Sequence, residues 1–405
     1  MRYIFKNTVR YFECCGVPMV GDIDNNIVIG LDEIGKATVQ SILNGKETDV
    51  NVQGQEELLS VLNESGFFVA SESGKKNVVT AYFHVTSNCN LHCVGCYSNE
   101  EQRNSKMNLS IEQCQIICNN LKRAGVECLI ISGGEPLMRT DLPEILRYAK
   151  QVCQIPRVQV VSNGMMARAK YDAILPYIDQ ISISVDGYNE NISYLRDSDM
   201  TYVLDTVKYL SQITDKLCMI FTLHSKNINH IQDYITLSTT MQVPFTFSLL
   251  TVENSEEFSN FQLKAENFDR LKTLEEEFGL PIEEVVSSGC IGCKSSCGLG
   301  NRIVSIASNG DVYPCHMLQN YELKLGNALT EEISSIVGYS GEVMAKWNVE
   351  AIKECSKCEY NYLCGGGCYA RRYLSGKSIE TSCDLCCAIY KTDIKRTICS
   401  LINGE

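Results

Sequence analysis

Thr86-Ser-Asn-Cys89-Asn-Leu-His-Cys93-Val-Gly-Cys96-Tyr97 is the most informative segment of this sequence. Its three cysteines are spaced C-x3-C-x2-C, which suits one iron–sulfur cluster. Three protein ligands leave one iron of a cubane cluster open, as three-ligand catalytic zinc sites keep an open position. Structural thiols and a zinc site are the alternatives, but zinc usually has four ligands and the next cysteine is Cys114.

Composition limits the class of protein. The chain has 405 residues, enough for two or three domains, and 22 cysteines, unlike a small disulfide scaffold. A net charge of −13, with no basic run beyond pairs such as Arg371-Arg372, disfavours nucleic acid as a partner. We find no signal peptide and no apolar stretch long enough to span a membrane, so we expect a cytoplasmic protein in a reducing cell.

Residues 78–255 alternate strands with helices, which predicts a parallel sheet. The predicted strands are 78–85, 128–132, 158–162, 181–185, 217–223 and 245–250. Six such units are too few for a closed eight-stranded barrel. The three cysteines follow the first strand, at the end of the sheet where barrel enzymes carry their chemistry.

Polar motifs follow the next three strands. Gly133-Gly134-Glu135-Pro136 follows the second; paired glycines let backbone approach a ligand, and a carboxylate accepts hydrogen bonds from an ammonium. A simple turn before a proline-started helix is the alternative. The third strand leads into Ser162 and Asn163, and the fourth into Ser184, Asp186 and then Arg196; these are also compatible with ordinary turns.

The cysteine triplet resembles the signature of radical S-adenosylmethionine (radical SAM) enzymes. The resemblance implies a partial (β/α)6 barrel at residues 76–280. It also implies a cluster on the cysteine triplet whose open iron binds S-adenosylmethionine. One electron then yields methionine and a 5′-deoxyadenosyl radical. Residues 133–136 resemble the motif that holds the methionine amino group. The family also implies cosubstrate contacts by Tyr97, Ser162, Asn163, Ser184, Asp186 and Arg196.

The later cysteines resemble the SPASM domain, here residues 281–405, and every interval of its pattern fits. The resemblance implies two auxiliary [4Fe–4S] clusters, three clusters in all. The first would use Cys315 and Cys368 with one or two of Cys290, Cys293 and Cys297. The second would use Cys355, Cys358, Cys364 and either Cys383 or Cys386. Surplus cysteines, Cys387 included, leave the ligand sets open, and zinc sites remain the alternative.

The other cysteines fall mostly at apolar positions and are expected in the core; they are Cys14, Cys15, Cys114, Cys118, Cys128, Cys153, Cys218 and Cys399. Residues 1–75 predict strands at 11–13, 26–29 and 66–69 and helices at 32–43 and 55–62, before a polar linker at 71–76. This order resembles the PqqD-like winged-helix domains that grip leader peptides. An accessory domain that only packs on the barrel is the alternative.

These resemblances imply a radical SAM maturase that takes a hydrogen from a ribosomally made precursor peptide, recognised by its leader. We expect it to install a thioether from cysteine sulfur to carbon, with flavodoxin or ferredoxin as electron donor. Carbon–carbon crosslinking, epimerisation and formylglycine formation, as in anaerobic sulfatase maturases, are enzymatic alternatives. An iron–sulfur electron carrier is the alternative outside the enzymes, but it would not need residues 133–136.

Overall fold

The computed structural model describes residues 3–45, 54–69, 78–98, 104, 108–252, 256, 258–264, 266–267, 270–271, 291–376 and 386–403. The predicted linker at 71–76, Cys290 and Cys383 lie outside the described residues. Within the described part of the chain, no helix is long and apolar enough to cross a bilayer.

The N-terminal region is a three-stranded antiparallel sheet followed by two helices. The strands, in the order β1-β2-β3, are β1 Val9–Cys14, β2 Val17–Asp22 and β3 Ile27–Gly30. The helices are α1 Glu33–Leu43 and α2 Gln55–Glu64, close to the predicted ranges. The sequence did not predict β2. The strand predicted at 66–69 is wrong, because only one isolated bridge, between Phe5 and Phe68, forms there.

The centre of the molecule is a sheet of nine strands among the described residues. The consecutive parallel strands β4 to β9 correspond to the six that the sequence predicts. They are β4 Thr80–Thr86, β5 Cys128–Gly133, β6 Arg157–Ser162, β7 Gln180–Val185, β8 Leu217–Leu223 and β9 Phe245–Leu249. The connecting helices are α3 Ile111–Arg123, α4 Leu142–Arg147, α5 Arg168–Ile174, α6 Met200–Ile213 and α7 Ile231–Met241. Consecutive strands lie side by side, so their carboxyl ends share one edge.

Three strands from the C-terminal region complete the sheet; they are β10 Ile303–Ile306, β11 Asp311–Tyr313 and β12 Gly326–Asn327. Strand β10 pairs in parallel with β4, so the sheet crosses the boundary predicted at residue 280. The helices that follow are α8 Ile333–Val343, α9 Asn361–Cys364, α10 Tyr369–Gly376 and α11 Cys387–Asn403. The sequence predicts two short helices here, at 331–337 and 341–347, and few long ones. The first prediction is wrong because the single helix α8 takes their place, and the second is wrong because α11 has 17 residues.

The N-terminal sheet packs against the C-terminal region. Arg10 forms an ion pair with Glu350, with Nε and Oε1 2.7 Å apart, and the rings of Phe12 and Tyr362 lie 5.3 Å apart. A shared apolar cluster seals the contact; it contains Phe12, Cys14, Met19, Cys293, Leu363, Ile394 and Ile398. Burial of apolar side chains is the main stabilising force at such a contact.

Candidate active site

The predicted cysteine triplet forms the loop after β4. Burial raises the pKa of the Cys93 thiol to about 11; Arg196 lowers this pKa, while Cys96 and Cys89 raise it further. The three thiols therefore lie within electrostatic reach of one another. A metal ion or cluster stabilises the thiolate form of such a group.

Gly133 and Gly134 allow the loop after β5 to pack closely against the cysteine loop. Gly133 has a φ of +135°, and a Cβ at either glycine would overlap a carbonyl oxygen, that of Thr86 or that of Asn88. Hydrogen bonds fix the contact, from Gly134 N to Thr86 O at 2.8 Å and from Glu135 N to Asn88 O at 2.7 Å. The sequence predicts that these glycines make room for a ligand. In the structure they make room for neighbouring backbone, which fixes the Glu135 carboxylate beside the cysteines.

The Glu135 carboxylate is fully buried. Its Oε1 accepts hydrogen bonds from Leu137 N at 3.1 Å and Ser162 Oγ at 3.0 Å, and its Oε2 accepts one from Asn163 N at 2.8 Å. Burial nevertheless raises the pKa of Glu135 to about 7. Ser162 and Asn163 thus orient this carboxylate, and the Asn163 amide also donates to Asn90 Oδ1 in the cysteine loop at 2.8 Å.

The Asp186 carboxylate stabilises the loop that carries Arg196. Its Oδ2 accepts hydrogen bonds from the backbone N–H of Tyr194, Leu195 and Arg196 at 2.5, 2.8 and 3.1 Å. Leu195 O in turn accepts from Val94 N in the cysteine loop at 2.7 Å. Arg196 therefore lies close enough to lower the pKa of both Cys93 and Glu135. Ser184 is buried within β7, one residue before the end of that strand.

Tyr97 connects the cysteine loop to two histidines that the sequence motifs do not include. Its hydroxyl lies 2.8 Å from Ser132 Oγ, and its ring meets the edge of His316 at 5.2 Å and lies 5.9 Å from His84. His316 also stacks on Tyr82 of β4 at 4.0 Å. Burial lowers the pKa of His84 to about 3 and that of His316 to about 4, so both rings are neutral. The position of His316 directly after Cys315 was the available signal.

Three of the predicted auxiliary ligands, Cys297, Cys315 and Cys368, lie together. Cys297 is exposed as a residue, but desolvation of its thiol, followed by the effect of Cys368, raises its pKa to about 11. Burial also raises the pKa of Cys315, with contributions from Cys368 and Cys297. We call these residues the first auxiliary set. Cys293, a predicted member, lies elsewhere: its sulfur contacts the backbone at Gly21 in the N-terminal sheet, within the apolar cluster.

A second group of thiols lines a cavity in the C-terminal region. We call it the second auxiliary set; it comprises Cys355, Cys358, Cys364 and Cys387. Cys386, one of the two residues predicted for the last ligand position, lies fully buried in the core of the central sheet, and the other, Cys383, lies outside the described residues. Successive residues at the start of a helix point in different directions, so only one of Cys386 and Cys387 faces the cavity. Arg372, also missed, lines the cavity and donates from a terminal nitrogen to Cys355 Sγ at 3.1 Å.

These residues fit the groups that the sequence implies. Three thiol groupings offer the soft ligands that iron–sulfur clusters require. Glu135 is a buried carboxylate with a raised pKa, which an amino group of S-adenosylmethionine would stabilise in its charged form. Nearby buried polar atoms, Asp186 Oδ1, His84 Nε2 and His224 Nε2, have no hydrogen-bond partner among the described residues. Such atoms are expected where a polar ligand binds.

Comparison with known proteins agrees with this geometry. Residues 83–237 match the radical SAM superfamily, and residues 297–359 match the SPASM iron–sulfur cluster-binding domain. The chain is similar to the mycofactocin maturase MftC of Mycolicibacterium smegmatis, with 24% identity over 334 residues that cover 76% of this chain and 82% of that protein.

Two solved structures share the fold. One is SuiB of Streptococcus suis bound to the precursor peptide SuiA, with a TM-score of 0.59, 18% identity and coverage of 95% of this chain and 100% of SuiB. The other is native anSMEcpe with bound AdoMet and the Cp18Cys peptide, with a TM-score of 0.64, 16% identity and coverage of 80% of this chain and 98% of that chain. The chain thus carries a radical SAM domain followed by a SPASM domain, the domain pair of a radical SAM enzyme that acts on a peptide.

Proposed function

We propose that this enzyme is a maturase of ribosomally made peptides, which installs a thioether between a cysteine sulfur and a carbon of its substrate. The main support is the N-terminal sheet, which packs directly on the region of the auxiliary thiols. The SuiB match covers 95% of this chain, so it must include most of residues 1–75. Sulfatase maturation does not need such a region, which favours a peptide with a leader.

We place the leader on β3. This strand pairs only with β2, and its other edge carries no strand within the described residues. Ile27, Val28 and Ile29 are only partly buried. An open apolar edge is a template for an added peptide strand, and strand addition is a common mode of peptide recognition. The PqqD-like role predicted for residues 1–75 is thus part of this proposal.

When bound, the three-thiol cluster and S-adenosylmethionine supply reductive cleavage to a 5′-deoxyadenosyl radical. The role of the protein is to hold the cosubstrate and keep water away. Glu135 would accept a hydrogen bond from the amino group of the cosubstrate. Arg196, on backbone that Asp186 orders, would hold the carboxylate of the cosubstrate. The unpartnered nitrogens of His84 and His224 are available to the substrate.

A thioether requires the loss of one C–H hydrogen atom, one S–H proton and one further electron. The radical takes the hydrogen atom, so the protein must accept the electron. A cluster held by the first auxiliary set would meet this need, because Cys315 Sγ lies 3.8 Å from His316 Nδ1 and that ring contacts Tyr97 in the cysteine loop. Three clusters in total, with the two auxiliary sets described above, belong to the same proposal, as does a flavodoxin or ferredoxin as electron donor.

Co-expression with candidate precursor peptides, followed by alkylation and mass spectrometry, tests the product. A thioether removes a pair of hydrogens and one alkylatable thiol together. A carbon–carbon bond removes the hydrogens but leaves the thiol, and epimerisation leaves the mass unchanged; either result would overturn the thioether assignment. Conversion of cysteine to formylglycine removes the sulfur and would favour the sulfatase-maturase alternative.

Amide hydrogen exchange of the reconstituted enzyme, with and without its precursor peptide, tests the leader site. We expect the peptide to slow exchange in residues 27–30. Strand β1, at the opposite edge of the same sheet, is the internal control. Protection confined to the barrel loops would show that the leader binds elsewhere.

A further inference from the structure

Cys14, Cys15 and Glu359 form a third kind of ligand group, outside the two auxiliary sets. Their ligand atoms all lie within 4.8 Å of one another. The two cysteines end β1 and begin the turn into β2, while Glu359 follows Cys358 in the C-terminal region. The group therefore spans the contact between the N-terminal sheet and the auxiliary region.

The geometry is close to that of a tetrahedral zinc site. Zinc binds thiolate at about 2.3 Å, which places two sulfurs about 3.8 Å apart on a tetrahedral edge. Cys14 Sγ and Cys15 Sγ lie 4.0 Å apart. Neighbouring residues on a strand point to opposite faces, but Cys15 has a φ of +52°, which turns both thiols to one side.

Neighbouring groups hold these ligands in place. Cys15 N donates to Glu359 Oε2 at 3.0 Å, and the Tyr360 hydroxyl lies 3.5 Å from Cys15 Sγ. Such outer hydrogen bonds orient ligands at metal sites. Glu359 also brings a carboxylate to two thiols, so the donor set carries negative charge that a divalent cation would neutralise.

We propose that Cys14, Cys15 and Glu359 bind one Zn²⁺ ion, which fastens the turn between β1 and β2 to the auxiliary region. Three protein ligands leave a fourth position for water. The ion would join segments 344 residues apart, so it would hold the N-terminal sheet in a fixed position relative to the barrel. A leader bound to that sheet would then deliver its attached peptide along a fixed path.

The test uses full-length enzyme with its iron and sulfide reconstituted anaerobically. The enzyme is given Zn²⁺ and desalted, and zinc and iron are counted separately by mass spectrometry. X-ray absorption at the zinc edge then reports the ligands without interference from iron. We expect a stoichiometric equivalent of zinc, with two sulfur neighbours at about 2.3 Å and lighter atoms completing the shell.

Cys15→Ser and Glu359→Gln are the informative variants. Cys15 is only partly buried and Glu359 is exposed, so neither substitution should impair folding. Each should weaken zinc binding at least about tenfold and leave iron content unchanged. Cys399→Ser, at an exposed cysteine of α11, is the matched control and should keep its zinc.

Three results would overturn the proposal. The first is the same zinc content in Cys15→Ser as in the wild type. The second is iron lost together with zinc, which would make Cys15 a ligand of the second auxiliary set. The third is a disulfide between Cys14 and Cys15 in the purified enzyme.

Discussion

Arg372 should set the reduction potential of a cluster in the second auxiliary set. Its side chain is 2% exposed and donates to Cys355 Sγ at 3.1 Å, so water screens its charge poorly. A unit charge about 5 Å from an added electron, at an effective dielectric constant of about 20, stabilises it by about 3 kcal/mol. For a one-electron couple this corresponds to roughly 140 mV. Water that enters the space left by a smaller side chain would itself stabilise part of the added charge. We therefore expect Arg372→Gln to lower the potential by somewhat less than the full electrostatic effect, about 100 mV.

A redox titration followed by electron paramagnetic resonance measures this shift. Arg372→Lys should lower the potential less, because it keeps the charge but loses the planar donor. Arg396→Gln is the control. It removes the same charge from the same region, but the Arg396 side chain is 44% exposed, so water screens that charge. An unchanged potential in Arg372→Gln, with the cluster intact, would refute the reasoning.

Three further predictions concern the site. Burial raises the pKa of Glu135 to about 7, and an amino group favours the ionised form of this carboxyl group. S-adenosylmethionine should therefore bind more tightly as the pH rises through about 7. Calorimetry should show this pH dependence of the affinity in the wild type and not in Glu135→Gln, and the same pH dependence in both would contradict the prediction. Asp186→Ala removes the acceptor of three backbone N–H groups and should raise the KM for S-adenosylmethionine about tenfold or more, whereas an unchanged KM would show that Arg196 is positioned otherwise. Cys387→Ala should lose auxiliary iron while Cys386→Ala keeps it, because Cys387 lines the cavity whereas Cys386 is buried in the core of the central sheet; the reverse pattern in an iron assay would make Cys386 a ligand.

The parallel strands and the two motif loops were predictable because their signals are local. Each barrel strand is an apolar run bounded by turns, and the cysteine and Gly133-Gly134 loops follow their strands directly in sequence. A parallel sheet then brings the loops together at one edge without further information. The pairing of β10 with β4 was not predictable in this way, since it joins segments more than 200 residues apart.

The direction in which a side chain points was the other property that the sequence did not predict. Cys386 and Cys387 are adjacent, and only the start of α11 decides which one faces the cavity. Cys293 has the spacing of an auxiliary ligand but contacts the N-terminal sheet, a contact that no local pattern contains. Cys114, Cys118 and Cys153 are buried as expected, whereas Cys399 is exposed, because α11 turns that position outward.

The central claim is that Cys89, Cys93 and Cys96 hold a cluster with one iron free for S-adenosylmethionine. Incubation of the reduced, anaerobically reconstituted enzyme with S-adenosylmethionine, followed by chromatography for 5′-deoxyadenosine, tests it most directly. We predict 5′-deoxyadenosine from the wild type and none from Cys96→Ala, whose auxiliary iron should remain. No 5′-deoxyadenosine from wild-type enzyme with its clusters loaded and reduced would contradict the account.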